Sequence, residues 1–434
     1  MYSYLYINYN LIIYIYKDLL FIYNMKLIYP TLLQAANKVK SNSWFRLFEY
    51  TNTNYKKKRK IKEFTTTYEK THTINIDLTK SQKDKINLWL NDCTDIYNLT
   101  NSYIKLNLTN DNKKSLINFF NIRKILKNDI TNVCKINKLN KHTGDYAVKH
   151  CIEMYKSAIS NHNDISRFNI RDLSKDRIRK NLVIEPSAVS KKTNSIFTKI
   201  LGVINSNIPL NFIKRNSILQ YNNYKDTYKI LVPVKVEDER RISSHYDKCG
   251  IDIGVRTFMT VYSEDKTLEI APYNNKFLDR KHKRLDNIKS SKDSNIISNE
   301  KYKKLYCKYS SRLRNKIDDL HNKSANMLLS RYKNISIGKV SIKQMISNLD
   351  GNLKEVVKRR LCTLSHYRFR MKLISMSPKF NCNVKLINEY LTSKTCCKCK
   401  NIKNDLKAGK IYNCSECNLI IDRDINAAIN IYLL

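Results

Sequence analysis

Residues 72–79 (HTINIDLT) alternate apolar and polar positions, which predicts a strand with one buried face. The period then changes. From 80 to 106, Ile86, Leu88, Leu90, Cys93, Ile96 and Tyr97 recur at helical spacing, with Ser81 as the expected N-cap. Further helices are predicted over 112–128 and 145–163, and a strand over 227–237. A second pattern starts at 247. It runs through apolar strands within 247–263 and 267–272, a very basic helical region over 276–333 and a buried strand over 334–342. An amphipathic helix over 353–380, a strand over 381–393 and a helix over 424–434 complete it. Strands alternating with long crossovers predict an α/β sheet.

Three stretches stand outside this pattern. Residues 1–30 are apolar and aromatic, but no basic segment leads them, and Asn8, Asn10, Lys17 and Asp18 interrupt them. They read as a poorly structured extension, or as sequence ahead of a start near Met25, rather than as a membrane span. Lys56 to Ile61 holds five cations in six residues, which suits a nuclear localisation signal or a phosphate-contacting arm equally. The third stretch, 394–419, carries the cysteine cluster. The expected organisation is therefore an extension (1–64), a basic strand-plus-helix module (65–245) and an α/β domain (246–434) with 394–419 inserted in it.

Charge narrows the function. Lys and Arg number 80 against 38 acids, a net charge of +42. Such a surplus points to a polyanionic partner, although A+T-rich coding also favours lysine. The abundance of lysine with tyrosine suits phosphate contact and base stacking. Nothing marks export, so the cysteines are expected to be reduced rather than a disulfide framework.

Five of the twelve cysteines fall between 396 and 417. Cys396-x2-Cys399 and Cys414-x2-Cys417 form two knuckles separated by 14 residues, a spacing that offers four thiolates to one tetrahedral Zn(II). Such a closed shell leaves no position for water and is structural. Cys397, inside the first knuckle, reads as a bystander.

Two acids stand out. In CGIDIGV (249–255), Asp252 lies mid-strand on the face of Gly250 and Gly254. A buried strand acid is costly unless it is paired or bound to a cation, and the glycines would leave room for a bulky metal–phosphate ligand. Asp424 opens the last helix, with Ala427 and Ala428 permitting close packing. Asp422 and Asp424 both also fit as helix caps.

Taken together, GIDIGVRTF, EYLTSKTCCKC and YNCSECNLIIDRDINAAINI resemble, in order, the motifs of the RuvC-like nuclease family of TnpB transposon proteins and their Fanzor relatives. TINIDLTKSQKDKINLWLNDCTDIYN resembles that family's N-terminal strand–helix start. The resemblance implies an RNase H-like (RuvC) domain with an inserted zinc ribbon, preceded by a nucleic-acid-binding module. It further implies Asp252 and Asp424 as two of three carboxylates binding a pair of Mg(II) ions, and guide RNA and double-stranded DNA as partners. No small-molecule cofactor or membrane is expected; a monomer is, in the nucleus (a host nucleus if virus-encoded) or otherwise in the cytoplasm, and not secreted.

One position departs. The family's usual glutamate corresponds to Gly338, and no acid lies between Ile335 and Leu349. Either the nuclease is inactive, or the third acid comes from elsewhere. Glu389, just before the TSKTCCKC stretch, resembles the Fanzor arrangement and is the candidate. The implied function is an RNA-guided, Mg-dependent DNA endonuclease. Its rivals are an inactive RNA/DNA-binding descendant and a strand-transfer transposase.

Overall fold

A computed structural model describes residues 47–51, 61–162, 164–190, 192–243, 246–272, 275–339, 342, 346, 353–403 and 409–434. The expected extension 1–30 and the basic run from Lys56 lie outside these residues, apart from Ile61. The chain forms two compact units, Glu69–Val236 and residues 1–68 with 237–434. Among the described residues, no helix is long and apolar enough to cross a membrane.

The Glu69–Val236 unit packs helices on an antiparallel sheet. Its strand order is Arg179–Ile184, Ser217–Asn222, Thr227–Ser243, Ile61–Asp77 and Asn205–Ser206. The helix over 80–106 runs from Lys80 to Asn107, and its cap is Thr79 rather than Ser81. Gln82 decides this, because Thr79 and Gln82 close a reciprocal capping box. The single helix predicted over 112–128 is three short ones, Lys113–Leu116, Phe119–Ile125 and Lys127–Ile136. Asn118 accepts from Phe120 and Asn121 backbone and restarts the second of them. Ile86, Leu90, Ile96, Val148, Leu219 and Ile230 are among its core residues.

The other unit carries the six-stranded sheet. Its strands are β1 (Leu47–Thr51), β2 (Tyr246–Ile253), β3 (Thr257–Tyr262) and β4 (Lys266–Pro272). Helices α1 (Asn275–Asp293) and α2 (Asn299–Arg331) lead to β5 (Tyr332–Gly338). Helices α3 (Glu355–Leu364) and α4 (His366–Met376) lead to β6 (Asn383–Ile387). The hairpin β7 (Ile411–Asn413) and β8 (Ile420–Asp422) precedes α5 (Arg423–Leu433). The sheet order is β1-β4-β3-β2-β5-β6, with β1–β4 joined antiparallel and β2, β5 and β6 parallel. With β1 added at the edge, three antiparallel strands (β2–β4) continued by two parallel ones form the RNase H-like α/β arrangement expected.

Three details differ from the pattern-based reading. β1 lies within the segment read as poorly structured, yet it pairs with β4 along its whole length. The helix predicted over 353–380 breaks at Ser365, which has φ +51° and separates α3 from α4. The strand predicted over 381–393 ends at Ile387, so Glu389 lies in the turn beyond it.

Ile251, Met259, Val261, Leu268, Ile335 and Ile337 pack with Leu278, Leu320, Leu328, Phe369 and Leu373 of the crossover helices. Tyr262 joins Ile425, Ala428 and Ile429 of α5 and Cys396, Cys397, Tyr412 and Cys414 of the cysteine hairpin in a second, smaller cluster.

Candidate active site and cysteine cluster

The register of the central strands places the acids. Ile251 on β2 pairs with Ile337 on β5, so one residue further along Asp252 and Gly338 stand side by side. Gly338 in turn pairs with Ile387, two residues before Glu389. A methyl group added at Gly338 would overlap the Glu389 carboxyl group. Glu389 therefore fills the space that a side chain on residue 338 would occupy, beside Asp252.

The electrostatics show the same convergence. Burial holds Asp252 well above the usual carboxylate range, and the charges of Asp424 and Glu389 add to that. Burial pushes Glu389 up to about 7, with Arg370 opposing. Asp424 is also raised, by burial and by Asp422, while Arg423, Lys410 and Arg256 oppose. Glu389 Oε1 is buried and has no hydrogen-bond partner. Three carboxylates from three elements thus each resist ionisation, chiefly through burial, which a cation beside them would relieve.

Asp422 and Asp424 separate in role. Asp422 is the N-cap of α5, and its Oδ1 accepts from the backbone of Asp424 (2.9 Å) and Ile425 (3.3 Å). Its Oδ2 meets Lys410 Nζ at 3.2 Å, which also reaches Glu269 at 3.4 Å. Asp424, in the first turn of α5, has its Oδ1 3.9 Å from Arg423 Nε.

The flanking glycines do not leave ligand space as the alternation suggested. A Cβ at Gly250 would collide with the α5 backbone at Ala428 and Tyr432, so this glycine lets the last helix lie against β2. A Cβ at Gly254 would press on the Thr257 carbonyl at 2.9 Å.

The four cysteines converge as their spacing predicts. One ligand atom from each of Cys396, Cys399, Cys414 and Cys417 lies within 4.8 Å of all the others. Two sulfur pairs are 3.6 Å (Cys396–Cys417) and 3.5 Å (Cys399–Cys414) apart. A tetrahedral shell with bonds of about 2.3 Å has edges of about 3.8 Å, so the donor set fits Zn(II). Cys397 stands outside this set, buried, its backbone N–H donating to Asn426.

The sequence reading missed four residues. Arg370 is buried on α4 and donates to the Gly338 carbonyl (3.3 Å) behind Glu389. Lys410 ties the cysteine hairpin to Glu269 of the sheet. Asn426 and Asn430, buried on α5, bond the segment leading into the first knuckle. The DRDINAAIN stretch itself displays these asparagines at helical i, i+4 spacing, which was the available signal.

Residues 231–349 match a family model described as "Probable transposase" (OrfB_IS605), and residues 366–431 match one described as "Cas12f1-like, TNB domain". TnpB-like protein L770 of Acanthamoeba polyphaga mimivirus is 32% identical, covering 93% of this chain and 84% of its own length. TnpB-like protein R854 of the same virus is 32% identical over 93% of this chain and 83% of its own. A Cas12f1–sgRNA–target DNA complex solved by cryo-EM aligns over 84% of this chain and 98% of its own at a TM-score of 0.32 and 13% identity, too distant to establish a shared fold. On the strength of the long alignments to the viral proteins, the chain belongs to the TnpB-like protein family.

Proposed function

We propose that this chain is an RNA-guided, Mg(II)-dependent DNA endonuclease of transposon origin. Asp252, Glu389 and Asp424 are its catalytic carboxylates and magnesium ligands. Cys396, Cys399, Cys414 and Cys417 hold a structural zinc. The observation that carries this reading is the Glu389 carboxyl group lying over Gly338, which supplies a third acid beside Asp252.

When bound, a pair of Mg(II) ions would activate a water and stabilise the leaving oxygen of a phosphodiester. The chain's own contribution is to gather negative charge where water alone would disperse it. Arg370, buried and bonded to the Gly338 carbonyl, lends its positive charge to the Glu389 carboxylate. Arg256, exposed and near Asp424, suits a phosphate on the approaching strand. The basic module over 65–245 would hold guide RNA by its backbone and leave sequence reading to base pairing. The net charge of +42 and the family membership support that assignment. Its place of action would be the nucleus of a host cell, as a monomer.

The test uses protein co-expressed with RNA transcribed from the 3′ end of its own gene and flanking sequence. Plasmids carrying a matching target beside randomised bases are supplied with Mg(II). Wild type should cut, while Asp252→Ala, Glu389→Ala and Gly338→Ala should each lose about 10³-fold or more. Equal cutting by wild type and Glu389→Ala would remove Glu389 from the site. RNA retention without any cutting would favour the inactive binding descendant.

A further inference from the structure

Asn426 and Asn430 have no part in the chemistry above, yet both are buried polar side chains on one face of α5. Asn426 Oδ1 accepts from the Cys397 backbone (2.9 Å), and its Nδ2 donates to the Thr395 carbonyl (2.8 Å). Asn430 Nδ2 donates to the carbonyls of Thr392 (2.9 Å) and Thr395 (2.7 Å). Its Oδ1 accepts from Lys400 Nζ (3.5 Å).

The segment they grip is one continuous hydrogen-bonded turn. The Glu389 carbonyl accepts from the Thr392 N–H (3.1 Å) and hydroxyl (3.0 Å). The Leu391 carbonyl accepts from the Thr395 N–H (2.9 Å) and hydroxyl (2.9 Å). Cys396 then enters the knuckle, donating to the Asn401 carbonyl and accepting from the Lys400 N–H. Leu391 sits at φ +61°, a left-handed conformation that costs a branched residue free energy and persists only when its surroundings enforce it. The two asparagines bond the carbonyls of Thr392 and Thr395, just after Leu391. Aspartate would keep their shape but lose each amide donor and set a carboxylate against a carbonyl.

We propose that Asn426 and Asn430 are positioning residues that couple the cysteine site to the carboxylates. They clasp the turn from Glu389 to Cys397 onto the helix that carries Asp424. An occupied four-cysteine site then sets the separation of Glu389 from Asp424. This rests on the reading of Asp252, Glu389 and Asp424 as metal ligands. Coupling of this kind is reciprocal: zinc should tighten binding of a divalent ion at the carboxylates, and that ion should slow zinc release.

The experiment uses the full chain and Mn(II) as the probe for the carboxylates. Mn(II) affinity is read by electron paramagnetic resonance before and after zinc removal. Zinc release to a chromogenic chelator is read with and without Mn(II). Zinc-loaded wild type should bind Mn(II) about tenfold more tightly than zinc-free protein, and Mn(II) should slow zinc release. Asn426→Asp and Asn430→Asp should each release zinc about tenfold faster and weaken Mn(II) binding about tenfold, with unchanged circular dichroism. If either variant unfolds, the reciprocal pair of wild-type measurements still decides. Wild-type zinc release in both folded variants would overturn the clasp. Faster release with unaltered Mn(II) affinity would overturn the coupling. No Mn(II) binding by wild type at all would remove the carboxylate reading on which the proposal stands, and is distinguishable from both.

Discussion

The cysteine site and the carboxylate site are built on opposite principles. The four thiols come from two knuckles, each local in sequence, and lie within 4.8 Å of one another. The three carboxylates come from β2, the turn after β6, and α5, and none belongs to such a close group among the described residues. The first arrangement offers a complete set of four donors to one ion; the second holds its acids further apart. A structural site is thus specified by short-range spacing. The carboxylate group, which we propose as the site for chemistry, is specified instead by sheet register.

The sharpest way to break this contrast is at the sulfurs. Cys414→Ser should reduce zinc content to near zero and unfold the β7–β8 hairpin, because a structural zinc contributes roughly 10 kcal/mol. Zinc analysis with a thermal melt checks this, and a full zinc complement in the folded variant would contradict it. The next largest effect sharpens the carboxylate side. Asp252→Asn should abolish cutting, yet raise the metal-free Tm by about 2 °C or more, since a buried acid repelled by Asp424 and Glu389 is gone. A lower Tm would mean that Asp252 is paired rather than repelled.

Gly250→Ala probes the packing that brings Asp424 to the sheet. Its Cβ would meet α5 backbone, which cannot move aside, so stability should fall by about 1–3 kcal/mol in a denaturant titration. Gly254→Ala, facing a single carbonyl, should cost less. The smallest effect is electrostatic. The folded protein keeps a proton on Glu389 that the unfolded chain releases, so metal-free stability should fall as pH rises from 4.5 to about 7. Glu389→Gln should flatten that slope. Affinity for a divalent ion should rise over the same range.

What the sequence made legible follows the same division. The cysteine set, the strand around Asp252 and the cap role of Asp422 are local patterns, and the structure places them as read. The turn holding Glu389, the break at Ser365 and the pairing of β1 were not legible. Each depends on contacts far away in the chain or on a left-handed residue that is not glycine. Gly250 was misread because alternation tells which face a residue occupies, not what lies against that face. Asn426 and Asn430 were passed over because capping and packing explained their helix well enough.

The placement of β1 bears on the order of folding. Its partner β4 lies beyond a loop that contains the entire Glu69–Val236 unit. Closing so long a loop costs more entropy than any hairpin in the sheet. The edge strand should therefore dock after β2, β3 and β4 have zipped together. Until then β4 presents an unpaired edge to other chains. Self-association during refolding should start there, before the six-stranded sheet is complete.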